Sequence, residues 1–482
     1  MTAYSGPELC SFEAHEVVTL LRKKEVSPAE LLGASEARIS QVDPLVNAIP
    51  TTCFDRARRL SDALDNRQAG SSSAPGWLDG LPIAIKDLTP VAGVRSTSGT
   101  KALADNVPLE SDPLVERLEV RGGLVVGKTN TPEFGAGGNT FNDVFGATLN
   151  PWDTRLNAGG SSGGAAVRLA TGSVWLSHGS DHGGSLRTPA AYCGIVGLRP
   201  SPGLCASLSG TGFIGEGVQG PMARSVTDCA LFLDAMAGFD PCSPLSFPAP
   251  DQPYQTAVMN AEMGLRIGFA PDLAGFAPVD KEMSDHLAWA MGTIERAGAD
   301  VEEACPALPD IERTYHVLRG GMWAASFATA PEELTRHFKP TLAQNISFGL
   351  SLTAEDHAKA QLSRSLIYDN MRQFLGCFDV LACPVVGNMP HPQTEEWVRE
   401  VGGQTLDGYM DWLKFAFLAT VAGLPAISVP VGRTKRGLPV GLQLIGPPRG
   451  EAKLLAAARM VELAMGGPLG PIDPIDGSKA TS

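Results

Sequence analysis

Two serines lie 24 residues apart in glycine-rich turns: Ser161 in Asn157-Ala-Gly-Gly-Ser-Ser-Gly-Gly-Ala-Ala166, and Ser185 in Gly179-Ser-Asp-His-Gly-Gly-Ser-Leu-Arg187. Glycines beside a serine let backbone N–H groups approach a substrate with no Cβ in the way, as an oxyanion site requires. Upstream, Lys86 ends the strand-like run Gly80-Leu-Pro-Ile-Ala-Ile-Lys86. A serine hydroxyl attacks a carbonyl only when a base removes its proton, and a lysine serves only when neutral, a state that burial favours. The chain therefore reads as a serine hydrolase with a lysine base, provided the fold brings a strand end and two tight turns to one point. Taken singly, each feature has a plainer reading. A Gly-Gly-Ser turn is ordinary turn chemistry, and a lysine at a strand end can simply pair with the adjacent Asp87.

Further ordered blocks accompany these elements: Gly127-Lys-Thr-Asn-Thr-Pro-Glu-Phe134, Pro189-Ala-Ala-Tyr-Cys-Gly-Ile-Val-Gly-Leu-Arg-Pro200, Gly220-Pro-Met-Ala-Arg-Ser225, Ala422-Gly-Leu-Pro-Ala-Ile-Ser-Val-Pro430 and Gly437-Leu-Pro-Val-Gly-Leu-Gln443. From about Ser11 to about Ala464 the sequence resembles the amidase signature family. The resemblance implies a catalytic set of Ser185 as nucleophile, Ser161 as the serine on a cis peptide that relays the proton, and Lys86 as general base. It also implies an oxyanion hole made by the backbone N–H groups of His182, Gly183, Gly184 and Ser185. Ser162 competes with its neighbour Ser161 for the bridging position and is given a supporting role. Asp181 and Arg187, which bracket the nucleophile turn, are read as supporting residues that fix its geometry. Family members commonly carry threonine where His182 stands, so the histidine is a departure. Three residues before Ser185 in a tight turn, its ring is badly placed as a base and better suited to lining the pocket. No cofactor and no metal is implied.

Other chemistry fits less well. Gly-Gly-Ser-Ser-Gly-Gly is followed by no Gly-Lys-Ser/Thr, which weakens a nucleotide reading. His178 and His182 are four apart, but the intervening Gly-Ser-Asp favours a turn over the helix that a His-Glu-x-x-His zinc site needs. A net charge of −14 leaves no basic footprint for nucleic acid and repels anionic membranes. The longest uncharged run, Phe415 to Gly432, contains Pro425 and Pro430, so it reads as a buried helix end, a turn and a core strand, not a membrane span. Nine cysteines without a Cys-x-x-Cys pair, behind a start that lacks a secretory pattern, suggest reduced thiols and a cytoplasmic location.

The chain has 482 residues, 43% of them hydrophobic and only 19% charged, which allows one unusually large core. Short apolar runs alternate with helix-like stretches from Gly80 to about Gly238. The expected fold is α/β, a mixed central β-sheet covered on both faces by helices in a single large domain. That domain is placed at 76–465, with an insertion at about 241–412, an N-terminal helical region at 1–75 packed on it, and a flexible C-terminal tail at 466–482. Ser27-Pro-Ala-Glu30 is a capping box opening a helix with Leu31, Leu32, Ser35 and Ile39 on one face. Gly70 to Gly76 reads as an exposed loop. Thr353 is positioned to cap a long helix from Ala354 to Leu375.

The expected reaction is hydrolysis of small neutral linear amides, aryl or alkyl, with carbamates (urethanes) and esters as chemically adjacent substrates. No cationic cluster is evident near the catalytic motifs, so an anionic substrate would lose hydration without a partner. Met322, Trp323, Phe327, Phe338 and Phe348 either belong to ordinary core or form an apolar wall of the site. A small-molecule substrate is the expected partner, with no nucleic acid and no membrane, and a homodimer is compatible with the sequence. Two alternatives stay open: the glutamine-hydrolysing subunit of a tRNA-dependent amidotransferase, and a non-catalytic binding protein with this fold.

Overall fold

In a computed structural model, which describes residues 4–65, 74–208 and 211–477, eleven strands form one mixed sheet. In chain order they are β1 (Thr51–Thr52), β2 (Pro82–Lys86), β3 (Leu124–Thr129), β4 (Leu176–Asp181), β5 (Val196–Arg199), β6 (Val218–Ala223), β7 (Arg266–Phe269), β8 (Asp300–Glu303), β9 (Val380–Pro384), β10 (Ala426–Arg433) and β11 (Pro439–Ile445). Across the sheet they run β1-β3-β2-β4-β6-β5-β10-β11-β9-β7-β8. The β3–β2–β4 and β9–β7–β8 groups pair in parallel, and the strands between them pair antiparallel.

The period-2 alternation of a strand sends successive side chains to opposite faces, and β2 shows the consequence. Ile83 and Ile85 join the core on one face, while Ala84 joins the core on the other. Both isoleucines are fully buried, so truncating either to alanine costs about 2–5 kcal/mol. The helices that matter here are α1 (Ala14–Arg22), α2 (Pro28–Val46), α3 (Phe54–Asp65), α4 (Gly163–Ala170), α5 (Arg187–Cys193), α6 (Val226–Met236), α7 (Ile311–Phe327), α8 (Pro340–Ser351), α9 (Ala354–Cys377) and α10 (Glu451–Ala464). Apolar residues of α1, α6 and α10 cover the Ile83 face, and those of α2, α3, α4 and α5 cover the Ala84 face. The Lys86 side chain follows the parity of Ala84 and so leaves the strand toward the start of α4.

Local signals produce the expected starts. Ser27 accepts the Glu30 N–H, Glu30 returns to the Ser27 N–H, and Pro28 occupies the first turn of α2. Thr353 caps α9 through the Asp356 N–H, although the helix extends to Cys377, two residues past the expected end. The uncharged run from Phe415 resolves into a short helix at Phe417–Ala422, a left-handed Gly423 and strand β10. Among the described residues no helix is long and apolar enough to cross a membrane. All nine cysteines are free.

Two parts of the domain scheme read differently in three dimensions. The segment 241–412 is less an excursion than part of the sheet, because it supplies β7 and β8 at one edge and β9 beside β11. Described residues beyond Gly466 do not form a loose tail: Ile472 N–H donates to the Ala170 carbonyl, Ile475 N–H to that of Pro151, and Asp473 pairs with buried Arg38 at 2.8 Å. The sequence signal for a tail was its Gly-Pro composition, which removes helix and strand but not docking through single hydrogen bonds. Positions 70–73 of the expected exposed loop lie outside the described residues.

Candidate active site

Strand β2 delivers Lys86 to the end of the sheet as a fully buried side chain. Its Nζ lies 2.6 Å from Ser161 Oγ, 2.9 Å from Ser162 Oγ and 3.0 Å from Ser180 Oγ. The adjacent Asp87 does not pair with it, since that carboxylate meets Lys128 Nζ at 3.1 Å and accepts from the N–H and Oγ of Thr97. Lys86 therefore has three hydroxyls and no carboxylate around its nitrogen. Burial lowers its pKa to about 7, against a smaller upward pull from the Asp181 carboxylate. A substantial neutral fraction at physiological pH follows, which is the form able to take a proton.

The two serine turns are tied together by the Ser162 N–H, which donates to the Ser185 carbonyl at 3.1 Å. Ser161 and Ser162 immediately precede α4, and the Gly160–Ser161 peptide is cis. Ser162 is thus part of the same hydroxyl cluster as Ser161. Ser180, to which sequence reasoning assigns no role, completes it. Its signal was its place at the end of β4, next to Asp181.

The turn that carries Ser185 leaves β4 at Asp181 and enters α5 at Arg187. Glycines are required at two of its positions. A Cβ on Gly183 would stand 2.4 Å from Tyr315 Oη, and Gly184 has a φ of +93°. Asp181 organises the turn, accepting from the N–H groups of Gly184 (3.2 Å) and Leu186 (3.0 Å) and from Arg187 Nη2 (2.8 Å), with Arg199 at 3.3 Å. Burial alone would raise this carboxyl, but the two arginines outweigh it and hold the pKa below the usual carboxylate range. Arg187 also reaches Gln443 Oε1 and the Ala416 carbonyl, which ties the turn to β11. Of the four backbone amides expected in an oxyanion hole, that of Gly184 is engaged by Asp181, leaving His182, Gly183 and Ser185 as the remaining candidates.

His182 is half-buried, and the desolvation of its ring together with Arg319 and Arg199 pushes its pKa well below that of an ordinary imidazole. Its Nδ1 faces Tyr315 Oη at 3.4 Å, and its ring meets the Tyr315 ring edge-on. Thr420 Oγ1 holds its carbonyl from the other side. His178, by contrast, belongs to β4 itself: it accepts the Lys86 N–H through Nδ1 at 3.4 Å and bonds Gln219 through Nε2. The two histidines have different partners, and among the described residues neither falls in a cluster of three or more ligating side chains.

Ser161, Ser180, Asp181, His182, Gly183 and Ser185 all line one cavity of about 340 Å³. Phe134, Met322 and Trp323 form its apolar wall, while Phe327 and Phe338 pack edge-on against Phe134 as a second layer. Phe348 lies apart, packing on Gly320 and under Arg313. The wall also carries Arg319, a single buried cation, where the sequence shows no cationic cluster near the motifs. It comes from α7, remote in sequence from the glycine turns, and no local pattern marks it.

Known proteins resemble this chain along most of its length. The Amidase family profile matches residues 30–455. The chain is 35% identical over 459 residues to an acylamidase of Rhodococcus erythropolis, covering 93% of this chain and 94% of that one. It is equally 35% identical to a glutamyl-tRNA(Gln) amidotransferase subunit of Thermosynechococcus vestitus, covering 92% and 95%. Among solved structures it superposes on a bacterial aryl acylamidase of the amidase signature family with a TM-score of 0.87 at 28% identity, covering 95% of this chain and 99% of that one. The chain belongs to the amidase signature family of amide-hydrolysing enzymes.

Proposed function

We propose that the protein hydrolyses small linear amides by acyl transfer through Ser185. Neutral Lys86 takes a proton from Ser161 as Ser161 takes the proton of Ser185, whose Oγ bonds to the carbonyl carbon. The carbonyl oxygen becomes an oxyanion facing the amides of His182, Gly183 and Ser185, each such donor being worth about 3 kcal/mol in the transition state. The C–N bond then breaks as the proton returns through Ser161 to the leaving nitrogen. Water, activated along the same relay, frees the acid and restores Ser185. Ser162 and Ser180 hold the lysine nitrogen in line, and Asp181 with Arg187 positions the turn.

The observation that carries this reading is the buried Lys86 nitrogen, 2.6 Å from Ser161 and without a carboxylate partner. The apolar wall of Phe134, Met322 and Trp323 favours an aryl or alkyl group beside the scissile bond, where burial stabilises by about 25 cal/mol per Å². Carbamates present the same electrophile and belong to the same proposal. A panel of anilides, alkyl amides, aryl carbamates and glutamine, assayed with purified protein, tests it: kcat/KM is highest for an apolar amide or carbamate. The alternative, a glutamine-hydrolysing role in an amidotransferase, has the amidotransferase relatives in its favour. Release of ammonia from glutamine at about tenfold higher kcat/KM than any apolar amide would establish it instead.

A further inference from the structure

Arg319 and Trp323 occupy successive turns of α7, and both line the cavity that holds Ser185. Arg319 is 4% exposed, yet its polar partners are neutral: Nε donates to Asn345 Oδ1 at 3.2 Å and Nη2 to Tyr409 Oη at 2.6 Å. Its guanidinium lies 5.5 Å from the Trp323 ring and 5.8 Å from that of Tyr409. Among the described residues it makes no ion pair with a carboxylate. The two aspartates of the cavity are engaged elsewhere, Asp181 with Arg187 and Arg199, and Asp112 with the N–H groups of Leu114 and Leu208. A buried guanidinium normally has an anion, and its five N–H donors exceed the three neutral oxygens around it, those of Asn345, Tyr409 and Tyr315.

An independent feature points the same way. The indole Nε1 of Trp323 is buried and has no hydrogen-bond partner among the described residues. Indole N–H is a donor only, so what it lacks is an acceptor. A buried cation with spare donors and an orphaned N–H, one helical turn apart on the same wall, together call for an oxygen ligand bearing negative charge. Tyr315, one turn before Arg319, reaches the nucleophile turn at His182. The unfilled donors therefore lie one and two turns of one helix, about 5.4 Å per turn, from the residue that touches the Ser185 turn.

Resting on the amidase reading above, we propose that Arg319 and Trp323 form a subsite for a carboxylate of the substrate, remote from the scissile bond. The preferred substrates are then amide acids: an apolar or aryl group near the reacting carbonyl and an acid group a few bonds away. This removes the restriction to uncharged substrates expected from sequence, which rested on the absence of a cationic partner. It keeps the apolar requirement.

The test compares two matched pairs, each an amide acid and a neutral analogue with an alkyl group in place of the carboxyl: glutaranilic acid with pentananilide and N-benzoylglycine with N-propylbenzamide. They place the carboxylate on the acyl side and on the amine side of the scissile bond respectively. In the parent enzyme the acid member of at least one pair is expected to have the higher kcat/KM, by about tenfold or more. Arg319→Met brings that ratio to near one, Arg319→Lys restores part of it, and Trp323→Phe, which keeps an aromatic ring and deletes the N–H, lowers it severalfold. Because the parent ratio is read first, the result does not depend on the variants folding. Neutral members hydrolysed as fast as, or faster than, their acids in both pairs would overturn the subsite while leaving the amidase reading intact. So would a ratio that Arg319→Met leaves unchanged. Failure of all four to react, with the apolar panel also inert, would overturn both.

Discussion

The carboxylate of Asp87 is paired with Lys128 at 3.1 Å and not with Lys86, its neighbour in sequence. That one exchange leaves Lys86 buried among hydroxyls and accounts for a lysine poised near neutrality.

A pH profile reads this directly. With Lys86 at about 7, kcat/KM should rise with pH through that region and level above it, because the neutral amine is the active form. His182→Ala should keep the same rising limb. Stability carries the same sign: between about 7 and the ordinary lysine value of 10.5, the unfolded chain binds a proton that the folded one does not. The contribution of Lys86 to stability therefore increases with pH across that window, by up to about 1.4 kcal/mol per pH unit. Denaturant titrations of the parent and Lys86→Met at several pH values measure it.

The hydroxyl relay should behave as one unit. Lys86→Ala and Ser161→Ala are each expected to lower kcat by about a thousandfold, with the double variant little worse than the poorer single one. Losses that multiply would show that the two residues do not share a proton path.

Asp181→Asn tests the scaffold of the turn. It removes the charge that Arg187 and Arg199 both contact and should cost about 3–5 kcal/mol in chemical denaturation. The accompanying loss of activity should fall mainly on kcat, since the turn carries the reacting groups and not the apolar wall.

Much of this was legible in the chain because it is local. Glycine turns, the capping boxes at Ser27 and Thr353, and the alternation of β2 are set by neighbours in sequence, and the motif blocks singled out Lys86, Ser161 and Ser185 as candidates. What escaped depends on tertiary placement. Ser180 becomes a lysine ligand only because β2 and β4 pair in parallel, and Asp87 finds Lys128 only across β2 and β3. Arg319 reaches the cavity from a helix far along the chain, so no spacing near the motifs could announce it. The edge strands β7 and β8 looked irregular because β8, Asp300–Glu303, is exposed or half-buried and lacks the apolar run of a central strand.

Substrate choice separates the two family readings. An apolar anilide or aryl carbamate should exceed glutamine in kcat/KM by about tenfold or more, since glutamine lacks the apolar area that the cavity wall rewards and its ammonium group offsets what its carboxylate gains at Arg319. Ammonia release and arylamine release, measured in parallel, give the ratio.

The central claim is that Ser185 is the nucleophile and Lys86 its base, and covalent trapping tests it most directly. A fluorophosphonate should add once to the parent, and peptide mapping by mass spectrometry should place the adduct on Ser185. Ser185→Ala should take up no label and turn over amides at less than about a hundredth of the parent rate, and Lys86→Met should label far more slowly. An adduct on any other residue, or undiminished labelling of Ser185→Ala, would contradict the account.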